Sequence, residues 1–212
     1  MIRSPFPRAF TLIEMLTVML VIAILAGLVL SVNGLVQTKA ARARAEGEIK
    51  SLGLAAESYA TDNGSYPRSD ETDLLDPRDL SASASPTSSV YQRTSRYLYI
   101  ALSGDANANG RFDEGEGKSY ASDLFKPSLL NAAKDGSGVV INVNFIKDPF
   151  DNSYGYSTAG AKDEEDFIEK LRREPRATRP ANGRGFNPTF DLWSTGGSLS
   201  ASSGQAKWVK NW

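Results

Sequence analysis

The chain changes its hydrophobic rhythm twice. From Met15 to Val32 it reads MLTVMLVIAILAGLVLSV, with no charged side chain in 18 positions. A helix of that length reaches ~27 Å, about the thickness of a bilayer core. One acid, Glu14, stands at its edge, and Arg3 and Arg8 lie before it with no acid between them. By the positive-inside rule that flank stays in the cytoplasm and the remainder lies outside. Past Val32 the pattern becomes amphipathic. Ala41, Ala45, Ile49, Leu52, Ala56 and Tyr59 recur at steps of four, four, three, four and three, one face of a 3.6-residue period. Arg42, Arg44, Glu46, Glu48, Lys50 and Glu57 fall mostly elsewhere. Asn63-Gly64 fits a C-cap and Pro67 forbids continuation. A single helix from Phe10 to about Asp62 would be ~80 Å long. Its amphipathic face predicts contact with a C-terminal domain.

Residues 67–89 are rich in Ser, Asp and Pro and read as a surface loop, with a short helical turn at Leu74-Leu75. Four short runs then read as strands: SRYLYIAL (95–102), VVINVNFI (139–146), SYGYST (153–158) and TFDLWST (189–195). Residues 161–173, AKDEEDFIEKLRR, read as an inserted helix, acidic first and basic last, as the helix dipole favours. The fold class predicted is α+β, a long N-terminal helix packed on a small antiparallel sheet domain. Its segments are 1–9, 10–36 (membrane-spanning), 37–64 (amphipathic continuation), 65–95 (polar loop region) and 96–212 (β domain).

Composition narrows the chemistry. The 212 residues carry a formal net charge of -1, which gives no sign of a nucleic-acid partner. There is no Cys, so disulfides and zinc–thiolate sites are excluded, and no His, so Ser-His-Asp and His-zinc chemistry are excluded too. Three readings of the N-terminus compete: a secretory signal peptide, for which the apolar run is long; a plain membrane anchor, which leaves Glu14 unexplained; and a processed signal. An ionisable group at a membrane edge is a functional candidate by default.

RAFTLIEMLTVMLVIAILAGL, residues 8–28, resembles the signal of type IV pilins and type II secretion pseudopilins: a short basic leader, a small residue, Phe-Thr-Leu-Ile-Glu and an apolar helix. The resemblance implies that a prepilin peptidase cuts between Ala9 and Phe10 and methylates the new amine. Ala9 stands where Gly is usual. Cleavage would remove Arg3 and Arg8 and leave a side-chain charge of -3. A charged amine inside a bundle of apolar helices is costly unless paired, so the resemblance assigns Glu14 to the Phe10 amine of a neighbouring subunit, where it sets the register of assembly. AESYATDNGSYP, KDPFDNSYGYST, FDLWSTGG and the closing NW resemble stretches of the type II secretion major pseudopilin, so the likeness covers 9–67 and 147–212 with gaps. Ser31 stands where that family often has Pro. Asp148 and Asp191 are expected to brace turns, and the aromatics to form core. The resemblance implies a structural subunit and no enzyme. The subunit would be held by the inner membrane, with its C-terminal domain periplasmic, and polymerised with copies of itself and other pseudopilins. Minor pilins and DNA-uptake pseudopilins are the near alternatives. A membrane-anchored extracytoplasmic enzyme or carbohydrate-binding module is the distant one.

DANANGRFDEGE, residues 105–116, fits a twelve-residue calcium loop. Asp105, Asn107, Asn109, the Arg111 carbonyl, Asp113 and Glu116 fall at ligand positions and Gly110 at the turn. The alternative is an Asn/Gly/Asp turn without an ion. With three charged ligands, the loop suits millimolar extracellular calcium. The family's own calcium site lies in the loop after the Trp-Ser strand, which here, from Thr195 onward, contains no Asp or Glu. The expectation is that the 105–116 loop supplies the ion-dependent rigidity which that loop has lost.

Overall fold

The computed structural model describes residues 10–79, 81, 85–113, 115–199 and 205–212, with helical backbone alone at 28–33 and 35. The chain divides into two units, one ending at Ala40 and one spanning Ala41–Trp212. Helix α1, Leu12–Asn63, contributes to both.

In the first unit the side chains of 10–27 are exposed on every side. Five consecutive apolar residues, Val18 to Ile22, step round more than a full turn, so no polar face exists. Among the described residues no helix is long and apolar enough to cross a membrane. The expected span continues through residues 28–33, whose side chains lie outside the described ones.

In the second unit the amphipathic stripe of α1 does what its period predicts. Ala45, Ile49, Leu52, Ala55 and Ala56 are buried, whereas Leu54 on the opposite side is 69 % exposed. The helix ends at Asn63, and Gly64 adopts φ +76°. Helix α2, Asp70–Leu74, follows under a capping box between Ser69 and Thr72.

Helix α3, Ser89–Ser103, corrects the strand expected at 95–102. Its buried residues, Tyr91, Thr94, Ser95, Leu98, Tyr99 and Leu102, recur at i, i+3, i+4, i+7, i+8 and i+11. Tyr and Ile favour strands, but the 3.6-residue period of burial overrides that preference. Ser88 caps its start and Gly104, at φ +80°, its end.

Strand β1 (Leu130–Lys134) pairs antiparallel with β2 (Val140–Ile146) as one hairpin. A second sheet has the order β3–β4–β5, from Gly155–Ser157, Asp191–Ser194 and Val209–Lys210. The small antiparallel sheet domain expected is built from these two sheets. Helix α4, Ala159–Arg173, intervenes between β3 and β4, with Lys170, Arg172 and Arg173 in its last turn. Helix α3 packs on β2 and β3. The main core joins α1, α3 and both sheets through Leu52, Leu98, Leu102, Val143, Ile146, Tyr156 and Leu192. A second cluster holds Leu75, Tyr91, Trp193 and Trp208. Gly155 is required beside it: a Cβ there would lie 2.2 Å from the Trp193 ring. Asn211 closes the fold, since its Oδ1 accepts from Leu192 N and its own N–H donates to the Leu192 carbonyl.

Candidate functional site

The N-terminal site is built at the start of α1. Thr11 is its N-cap and Glu14 its third helical residue. Glu14 Oε2 accepts from Thr11 N and from Thr11 Oγ1, each at 2.8 Å, and Glu14 N donates to Thr11 Oγ1 at 3.3 Å. This is a capping box, in which the side chains of Thr11 and Glu14 satisfy each other's backbone donors. Both bonds to the carboxylate fall on Oε2, and among the described residues Oε1 has no hydrogen-bond partner. One oxygen fixes the helix start and the other remains open to a cation. The T-x-x-E signature of such a box stands in the sequence at Thr11–Glu14, beside the stronger signal of the apolar run. Phe10, immediately before the cap, is 75 % exposed. Ala9 lies outside the described residues. Cleavage between Ala9 and Phe10 would spare the amide N–H of Thr11, so the box survives processing.

The 105–116 loop follows α3 directly, so a helix, not the expected strand, leads into it. Asp105 is 1 % exposed, and its Oδ1 carries a single hydrogen bond. Its Oδ1 accepts from Asn109 N, and its Oδ2 from Gly110 N and from the Tyr99 hydroxyl at 2.6 Å. Burial, then the bond to Asp105, pushes the Tyr99 phenol up. Asn107 Oδ1 accepts from Asn109 N, and Asn109 Oδ1 from Arg111 N. Gly110 takes the reversal at φ +81°. Asp113 Oδ2 accepts from Asn109 Nδ2, and Glu116 Oε2 accepts from Asp113 N. The structure therefore groups Asp105, Asn107 and Asn109 around the turn. Glu116 is bonded to the Asp113 backbone, and among the described residues no three acids converge as a metal centre.

Asp148 and Asp191 brace turns as expected. Asp148 Oδ1 accepts from Phe150 N and Asn152 N, and its Oδ2 from Ser194 Oγ at 2.6 Å. Asp191 accepts from Phe186 N and Asn187 N. Burial raises both carboxyl pKa values, against the downward pull of these bonds.

Of the two candidate sites, only the Thr11–Glu14 start lies in a segment with an outside counterpart. Residues 7–30 match the prokaryotic N-terminal methylation motif. That match takes in Ala9, Phe10 and Glu14, and it indicates a type IV pilin-like protein with a prepilin signal and a membrane-anchored N-terminus. It implies processing by prepilin peptidase and assembly into pilin-like filaments. No curated protein and no solved structure matches the chain.

Proposed function

We propose that this chain is a structural subunit of a type II secretion pseudopilus, cut between Ala9 and Phe10 and polymerised through its N-terminal helix. The observation that carries the reading is the capped start of α1 within the methylation motif. There, Glu14 holds its own helix end with Oε2 while Oε1 is available to the amine of a neighbouring Phe10. The all-round apolar surface of 10–27 supports it, because such a helix is stable only when lipid or other helices cover it. The FDLWSTGG and KDPFDNSYGYST stretches favour the major pseudopilin over minor pilins and DNA-uptake pseudopilins. Both build the second sheet and its buried Trp193. The role is assembly, not catalysis. Deleting the gene from a host with an active type II system, then restoring it, tests the secretion role. Exoprotein is expected to accumulate in the periplasm without it. Normal secretion with loss of surface pili would assign it to a pilus instead.

We also propose that the 105–116 loop holds calcium through Asp105, Asn107, Asn109, the Arg111 carbonyl, Asp113 and Glu116. The bonds from Asp105, Asn107 and Asn109 to backbone N–H groups already shape the loop around the Gly110 turn. The expected result is a rise in Tm with millimolar calcium that is lost in Asp113→Asn and Glu116→Gln. An unchanged Tm in the parent chain would remove the ion from the account.

A further inference from the structure

The resemblance implies a calcium ion in the loop that follows the Trp-Ser strand. Here that loop runs from Thr195 to Trp208, between β4 and β5. Its residues do not fit a cation. It has no carboxylate. The buried acid beside it, Asp148, is spent on Ser194 Oγ, Phe150 N and Asn152 N. Among the described residues Thr195 Oγ1 is buried without a partner, but it is one neutral oxygen where calcium takes six to eight.

The two ends of the loop nevertheless converge. A Cβ on Gly196 would lie 2.3 Å from the Lys207 carbonyl oxygen and 3.2 Å from Arg42 Nη1. Arg42 Nη1 donates to that same Lys207 carbonyl, 165 positions along the chain. The root of the guanidinium is fixed, because Ala45, one turn later on α1, is fully buried. Two further side-chain ties, at Gln205 and Leu199, also run from a donor to a carbonyl. Gln205 Nε2 donates to the Pro77 carbonyl at 2.9 Å, and Ser85 Oγ to the Leu199 carbonyl at 3.0 Å.

We propose that Arg42 is the fastener of this loop and stands in for a metal ion. Its guanidinium is always charged and presents five donors in a rigid fork, so it draws in backbone carbonyl oxygen as a cation does. Because it is tethered, its occupancy does not depend on calcium concentration. A subunit built this way keeps the Gly196 and Lys207 ends of the β4–β5 loop together in calcium-poor surroundings, and any calcium dependence is confined to residues 105–116.

Hydrogen exchange read by mass spectrometry on the full chain in detergent micelles tests this, with peptides covering 195–210. Protection there is expected to be the same with calcium and with excess EDTA. Arg42→Gln is expected to speed exchange in that segment by at least about tenfold, the effect of losing a charge-assisted bond. Arg42→Lys, which keeps the charge and one donor, is expected to restore part of the protection. Loss of protection in the parent chain on adding EDTA would overturn the proposal, as would unchanged exchange in Arg42→Gln. Acceleration spread evenly over all peptides would also overturn it, because it would mark general destabilisation rather than a local fastener. None of these outcomes depends on whether the chain forms filaments.

Discussion

Glu14→Leu is expected to leave leader cleavage intact and to abolish incorporation into filaments. Two losses follow from the substitution, and their sizes decide the phenotype. The first is the capping box with Thr11, a small loss because both of its bonds lie at an exposed helix start. That is too little to stop the helix forming, since the apolar run continues behind it. The second, in the proposed assembly, is the partner for the Phe10 amine. An unpaired charge confined among apolar helices costs several kcal/mol, on the order of 3–5 when one member of a buried pair is removed. The polymer therefore fails while the precursor persists. Immunoblotting of cell-bound and sheared fractions, in a host with prepilin peptidase, separates the two. Processed subunit confined to the membrane is the expected pattern. Thr11→Val controls for the cap: it removes one of the two bonds to Oε2 and leaves the carboxylate, so filaments persist in reduced amount. Normal filaments from Glu14→Leu would refute the charge pair.

Trp193→Ala is expected to destabilise the Ala41–Trp212 unit by about 3–5 kcal/mol, the range for removing a buried aromatic. Trp193 is fully buried and stacks on Trp208 at 5.6 Å. It meets Tyr91 and Trp212 edge-on at 5.5 and 5.8 Å. It also fills the space left by Gly155 on the paired strand. A domain of this size has only ~5–15 kcal/mol in total, so the loss is a large share. Urea unfolding of the full chain in micelles, followed by near-ultraviolet circular dichroism, should show the midpoint falling by more than 1 M, given slopes of about 1–3 kcal/mol per M. A shift under half that size would mean the cluster is not the anchor of the second sheet.

Periodicity explains which parts of this fold the sequence disclosed. The stripe expected from Ala41 to Tyr59 on α1, the hairpin strand around Val143, the strand at Leu192–Trp193 and the helix expected at 161–173 each have one strong pattern, and each formed, the last starting two residues earlier at Ala159. Helix α3 was missed because Tyr91, Tyr97, Tyr99 and Ile100 carry strand preference, while its helical face rests partly on Thr94 and Ser95. Small hydroxyl residues bury well, yet read as polar in a pattern. The Thr11–Glu14 box was legible as T-x-x-E, although its meaning as a helix cap stood behind the stronger signal of an acid beside an apolar run. The Arg42–Lys207 contact joins residues far apart in sequence, with no local motif, and only the folded chain reveals it.

The central claim is that Phe10 becomes the N-terminus and that Glu14 then serves the amine so formed. Intact-mass and N-terminal peptide mass spectrometry of the chain, purified from membranes of a host with prepilin peptidase, tests it most directly. The account predicts a mature protein that begins with N-methyl-Phe10 and lacks residues 1–9. A chain cleaved after residue 30, or one that retains Met1 through Ala9, would contradict it.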